Sequence, residues 1–225
     1  MKVKNHLLIL TVLLTSIIYG QHSDVENIYL NSTSLTSIDL SSKKITGSSY
    51  INKTFSNAQI SNQKTVYSMR YNAYLDKMEV ELNGQAYYLP MSSNYSITFK
   101  DLNKTYQVLD FKNKDIESKG FFVVLFAGEN ISLFIKEKIK LNKEVPAKLG
   151  FTKYEPPTLS RSKDKIYFIL KDNLEATILP KKKKDILKLF SNNAKLVQKY
   201  AKENKLSFKN KNDLVLIFKY YNTIE

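Results

Sequence analysis

The chain has 225 residues, 43% of them apolar and 25% charged, with a formal net charge of +14. That balance belongs to a folded chain rather than to a disordered or multi-span membrane one. It contains no Cys, which excludes thiol nucleophiles, disulfides, iron–sulfur clusters and thiolate zinc sites.

Residues 1–21 read MKVKNHLLILTVLLTSIIYGQ: Lys2 and Lys4, an apolar run from Leu7 to Ile18, then Gly20 before Gln21. A basic head, a short apolar run and a small residue at the cut define a secretory signal peptide, here residues 1–20. About a dozen apolar residues are too few for a ~20-residue membrane span. No Cys stands at the cut to carry a lipid. The expected product is secreted or periplasmic, and soluble. The two His residues are His6 and His22. Cleavage removes the first and leaves the second at a frayed terminus. Imidazole bases, His-ligated metals and Ser–His–Asp catalysis are then excluded from the folded part, and no cofactor is expected. Enzymes built on carboxylates, Lys, Tyr or Ser/Thr survive that filter.

Residues 21–48 are rich in Ser, Thr and Asn and read as a weakly ordered lead-in with an edge strand near Asn27–Leu30. From residue 49 a single α+β domain is expected: an antiparallel β meander of about 8–10 strands over 49–179, then a small helical region over 180–225. The strands are read, in order, at Tyr50–Ile60, Val66–Tyr74, Lys77–Leu82, Gln85–Leu89, Ser96–Lys100, Thr105–Phe111, Gly120–Phe126, Ile131–Leu141, Lys165–Leu170 and Leu174–Leu179. Asn83-Gly84 predicts a two-residue hairpin turn with both residues at φ > 0, which sets Val80 opposite Tyr87 and Met78 opposite Leu89. Lys77, Glu79 and Glu81 then share a wet face. In Gly120–Phe126, Phe121, Val123 and Leu125 alternate with Phe122, Val124 and Phe126, so the strand must be covered twice. The sheet's own core is one cover; the helices or a bound apolar ligand supply the other. Pro156-Pro157 marks a connection. Beyond Pro180 the apolar period becomes helical: Ile186, Leu187, Phe190; then Ala194, Val197, Tyr200, Ala201; then Leu214, Ile217, Phe218, Tyr221, with Asn210 and Asp213 at the start of the last helix.

Three constellations carry possible chemistry. Residues 181–225 hold 12 Lys against 4 acids, a net of +8, whereas the chain from His22 holds 33 basic and 21 acidic residues, a net of +12. Lys181, Lys182, Lys183 and Lys184 open a helix, where the macrodipole disfavours cations. This points to an anionic partner such as lipopolysaccharide phosphate or acidic envelope glycan, or else to a solvated basic face. Only two Arg occur, too few for the bidentate contacts that nucleic-acid sites favour. Arg70, Tyr71 and Tyr74, near Asp76, Glu79 and Glu81, form a second candidate binding site. Glu79 and Glu81, about 7 Å apart on one strand face, have the spacing of a glycosidase carboxylate pair. That spacing also arises on any solvated strand face, and a buried or bidentate structural role is the natural use of Arg70. The third constellation is a tyrosine-rich half-sheet with Tyr50, Tyr67, Tyr71, Tyr74, Tyr87 and Tyr88, suited either to glycan or peptide binding or to ordinary strand packing.

Taken in order, Arg70-Tyr71-Asn72-Ala73-Tyr74 with Asp76, Met78 and Glu79, Gly120-Phe121-Phe122, Lys165-Ile166-Tyr167-Phe168-Ile169, Leu179-Pro180 before lysines, and Asp213-Leu214 through Tyr220-Tyr221-Asn222 resemble a family of uncharacterised secreted proteins from Bacteroidota, of the flavobacterial kind. The likeness covers most of residues 50–225 and implies export without assigning catalytic residues. The leading expectation is an exported, non-enzymatic envelope or secreted binding protein. A carboxylate-dependent glycan- or peptidoglycan-active enzyme and an apolar-ligand carrier are the alternatives.

Overall fold

A computed structural model of the chain describes residues 45–113, 116–147 and 153–224. The expected signal peptide, both His residues and the edge strand near Asn27–Leu30 lie outside the described residues, as does most of the lead-in 21–48. Twelve strands follow one another: β1 Ser56–Ile60, β2 Val66–Asn72, β3 Lys77–Leu82, β4 Gln85–Tyr88, β5 Ser96–Phe99, β6 Lys104–Asn113, β7 Ile116–Phe126, β8 Ile131–Lys136, β9 Ile139–Asn142, β10 Thr158–Arg161, β11 Lys165–Leu170 and β12 Asn173–Ile178. Then come α1 Lys183–Leu187, a 3-10 segment Lys188–Asn193, α2 Ala194–Glu203 and α3 Lys211–Tyr221. The α+β class is as expected.

The connectivity corrects the expected meander. Ten strands form one sheet in the order β12-β11-β8-β7-β6-β5-β1-β2-β3-β4, and β12 also pairs with β6. That extra pairing is parallel, Glu175 to Asp110 and Ala176 to Phe111, and it closes β6, β7, β8, β11 and β12 into a barrel. One edge of β6 serves two strands: residues 104–107 bind β5 and residues 110–111 bind β12. The sheet therefore forks at β6. One branch closes the barrel; the other runs on as the wing β5-β1-β2-β3-β4.

Three packed regions follow from this fork. Phe111, Phe122, Phe134, Tyr167 and Ala176, with Leu109, Val124 and Ile169, fill the barrel interior. The outer barrel face carries Tyr106, Val108, Phe121, Val123 and Ile135, against which the wing packs Met69, Tyr71, Met78 and Ile97. At the other end of that face Ile131, Leu133 and Phe168 receive Ile186, Phe190, Val197, Leu214, Ile217 and Phe218 from the helices. Helices this short are marginal alone, so this stripe-to-sheet burial is what holds them. Each fully buried Phe, Ile or Leu contributes about 1.5–3 kcal/mol.

The doubly apolar strand β7 is covered twice, but not as expected. Phe122 and Val124 face the barrel interior, so the second cover is mainly the barrel itself. A register shift between Val124 and Phe126 moves Phe126 off that face, and it packs with the helical cluster instead. Ile131–Leu141, expected as one strand, is split at Glu137–Lys138 into β8 and β9, and β9 pairs with β10 in a separate two-stranded sheet. Strand β10 directly after the proline pair was not expected at all.

Local readings held where the signal is local. Asn83 and Gly84 have φ of 52° and 77°, and Val80 pairs with Tyr87. The Leu89 N–H donates to the Met78 carbonyl at 2.9 Å. Asn210 caps α3, accepting from the N–H groups of Asn212 at 2.8 Å and Asp213 at 3.2 Å. At the far end of α3 the Asn222 side chain accepts from Asn130 N–H at 2.9 Å and donates to the Ile131 carbonyl at 3.2 Å, tying the helix to β8.

Candidate functional site

Three carboxylates border the wing–barrel core, and each is engaged by donors brought from distant segments. Asp76 sits in the β2–β3 turn at φ 56°. Its Oδ1 accepts from the Tyr71 hydroxyl at 2.7 Å and from Phe121 N–H at 3.1 Å, and its Oδ2 pairs with Lys136. The Lys136 ammonium also donates to the Phe121 carbonyl at 2.9 Å and lies 4.5 Å from the Phe122 ring centroid. Gly120 leaves room for this pair as it stands. A Cβ there would fall inside contact distance of both Lys136 Nζ and Asp76 Oδ2.

Glu79, 1% exposed, accepts from Arg70 Nε at 2.7 Å, the Tyr50 hydroxyl at 3.1 Å and Asn72 Nδ2 at 3.4 Å. The Arg70 guanidinium lies over the Tyr50 and Phe55 rings, 3.8 and 4.2 Å from their centroids. The expected structural role of Arg70 is present but not bidentate: Nε goes to Glu79, and another guanidinium nitrogen goes to Tyr50 rather than to the second carboxylate oxygen. The expected wet face is corrected here. Glu81 is exposed and bonded by the Ser68 hydroxyl at 3.1 Å, but Glu79 is not solvated, because the segment carrying Tyr50 and Phe55 folds over it. The two carboxylates thus do not form a matched, accessible pair.

Glu137, 3% exposed, was not anticipated. It accepts from Lys104 at 2.8 Å, the Tyr106 hydroxyl at 2.6 Å and Arg161 at 2.8 Å. Both arginines of the chain therefore serve buried carboxylates, where a charge left single would be costly. Of the second candidate set, Tyr71 is 3% exposed inside the core and Tyr74 is half-buried against it, so neither lines an open face.

Burial first, and the adjacent Asp76 and Glu137 carboxylates second, push the Tyr71 and Tyr106 hydroxyls well above the ordinary tyrosine range. Such groups keep their protons where the unfolded chain loses them. The stability they contribute is complete below the ordinary tyrosine pKa and is lost as pH rises through and beyond it. Lys136, lowered by burial and only partly restored by Asp76, acts in the opposite sense over the same alkaline range. Two shielded hydroxyls outweigh one lysine. Alkaline titration followed at 295 nm should show late tyrosine ionisation that coincides with loss of far-ultraviolet circular dichroism. Complete ionisation in the ordinary range on an intact fold would contradict these networks.

All four residues of the first constellation, Lys181–Lys184, are exposed. Lys182 is the N-cap of α1, with no side-chain cap bond. Lys183 and Lys184 join Lys188, which was not singled out from sequence, on the wall of an open groove of about 800 Å³ between α1 and α2. Ser191 and Gln198 add polar donors to it, while Leu187 and Ala194 form apolar floor. Lys188 pairs with Asp185 at 2.9 Å, and Lys183 lies 5.3 Å from the Phe208 ring centroid. A hydrogen bond and charge from Lys188, with Lys182 and Lys184 adding to them, hold the Asp185 carboxyl below its usual range. Among the described residues no group of three or more His, Cys, Asp and Glu could hold a metal ion. No described helix is long and apolar enough to cross a membrane.

No protein-family model, no curated protein and no solved structure matches this chain.

Proposed function

We propose that this is an exported, non-enzymatic binding protein whose Lys-rich C-terminal helices contact anionic material of the bacterial envelope. The observation that carries the reading is the convergence of Lys183, Lys184 and Lys188 on one groove of a docked helical unit. Convergent cations raise the local concentration of anions far more than scattered ones do. The signal-like residues 1–20 and the likeness to exported Bacteroidota proteins support export, to the periplasm or the medium. The commitment of Asp76, Glu79 and Glu137 to internal donors supports binding over carboxylate catalysis.

Retention of the mature protein on heparin or immobilised lipopolysaccharide tests this. Changing Lys181–Lys184 to Gln removes four cations, so the variant should elute at clearly lower salt, with a flatter dependence of affinity on salt. Unchanged elution overturns the polyanion reading. Turnover of glycans or esters by the pure protein, abolished by Glu79→Gln, overturns the non-enzymatic part.

A further inference from the structure

Ser191 stands out within the basic groove. Its backbone has φ 44° and ψ −123°, inside the 3-10 segment joining α1 to α2. This is the region of the first central residue of a type II′ turn, where Gly dominates because a Cβ is strained there. The backbone thus asks for Gly, yet the chain carries a hydroxymethyl group. That hydroxyl does not repay the strain internally: Ser191 is exposed and among the described residues nothing bonds its Oγ. It lines the groove instead, together with Lys184, Lys188 and Gln198.

Every polar side chain on the groove can donate to a ligand, through ammonium groups, a hydroxyl or an amide N–H₂. The pair with Asp185 uses one of the three ammonium protons of Lys188 and leaves two for a ligand. Such a set suits a dianion with several acceptor oxygens. The floor of Leu187 and Ala194 suits the C–H face of a sugar ring.

We propose that this groove is a binding site for a phosphorylated sugar. Lys184, Lys188 and the Ser191 hydroxyl take the phosphate; Gln198 and the apolar floor take the ring. The proposal rests on the reading that the basic region binds anionic envelope material, and adds to it a defined site, a ligand class and a reason for the strained serine.

The test uses glucose 1-phosphate, glucose, inorganic phosphate and heparin as probes, with calorimetry and thermal melts on the mature protein. Glucose 1-phosphate should bind more tightly than either inorganic phosphate or glucose. Ser191→Ala keeps the Cβ and removes the hydroxyl, so affinity should fall about tenfold with Tm unchanged. Ser191→Gly should lose the same affinity while Tm rises by about 2–4 °C, because the strain is relieved. Improved stability with impaired binding is a combination that a merely structural serine cannot produce. Equal affinity in the wild type and Ser191→Ala overturns the site, and a lowered Tm for Ser191→Gly overturns the strain argument on which it stands. Inorganic phosphate binding as tightly as the sugar phosphate overturns the ligand class. Heparin retention without sugar-phosphate binding rejects this inference and leaves the broader reading standing; loss of both rejects the two together.

Discussion

Replacing Asp76 with Ala is expected to cost about 3 kcal/mol of folding free energy, read as a lower urea midpoint at unchanged slope. Lys136, whose side chain is 10% exposed, would be left in the barrel mouth with only the Phe121 carbonyl and two aromatic rings beside it, either as an unpaired charge or at the cost of giving up its proton. The Tyr71 hydroxyl and Phe121 N–H would lose their acceptor at the same time. Breaking one side of a buried pair is costlier than removing both sides. Adding Lys136→Met should therefore recover part of the loss, since a thioether packs against Phe111 and Phe122 without desolvation cost while the Tyr71 hydroxyl and Phe121 N–H stay without their acceptor. A single variant within ~0.5 kcal/mol of wild type, or a double variant no better than the single, would show that the pair is not the lock described here.

Phe122→Ala is expected to destabilise by about 3–5 kcal/mol. Phe122 is 0% exposed, and its ring meets Phe111 and Tyr167 edge-to-face, with centroids 5.2 and 5.0 Å away. Those rings are fixed by strands on both sides of the closure, so the barrel cannot collapse to fill the gap. Phe126→Ala should cost less, because Phe126 is only half-buried at the helical end. The comparison tests closure directly. If β12 did not pair with β6, Phe122 would sit on an open sheet face, and the two variants would cost similar amounts.

The closed barrel also explains why some features are written locally in the sequence and others are not. Hairpin β3–β4 was legible because Asn83-Gly84 and the alternating residues beside it lie within a dozen positions. The helical stripe Leu214, Ile217, Phe218, Tyr221 was legible for the same reason, and all four are buried as the period requires. The pairing of Arg70 with Glu79 was within reach because β2 and β3 are consecutive. The burial of Glu79 was not, since its cover comes from Tyr50 and Phe55, outside the hairpin. Lys136 and Glu137 read locally as polar positions within the strand Ile131–Leu141. Their partners arrive across gaps of 60 residues for Asp76 and 24 for Arg161. The groove was half legible: the run Lys181–Lys184 is plain in composition, whereas Ser191 is marked only by a backbone angle.

Periodicity and turn chemistry along the chain determined the α+β class, most strand positions, the helical C-terminus and the charge that makes an anionic partner the leading proposal. Tertiary structure alone decided that the sheet forks at β6 and closes, that three carboxylates are enclosed by donors, and that Lys183, Lys184 and Lys188 share a groove with Ser191 and Gln198. The division has a physical cause. Local periods are written in every few residues, whereas a pairing such as β12 with β6 depends on which distant edges remain unfilled once the rest of the chain has packed.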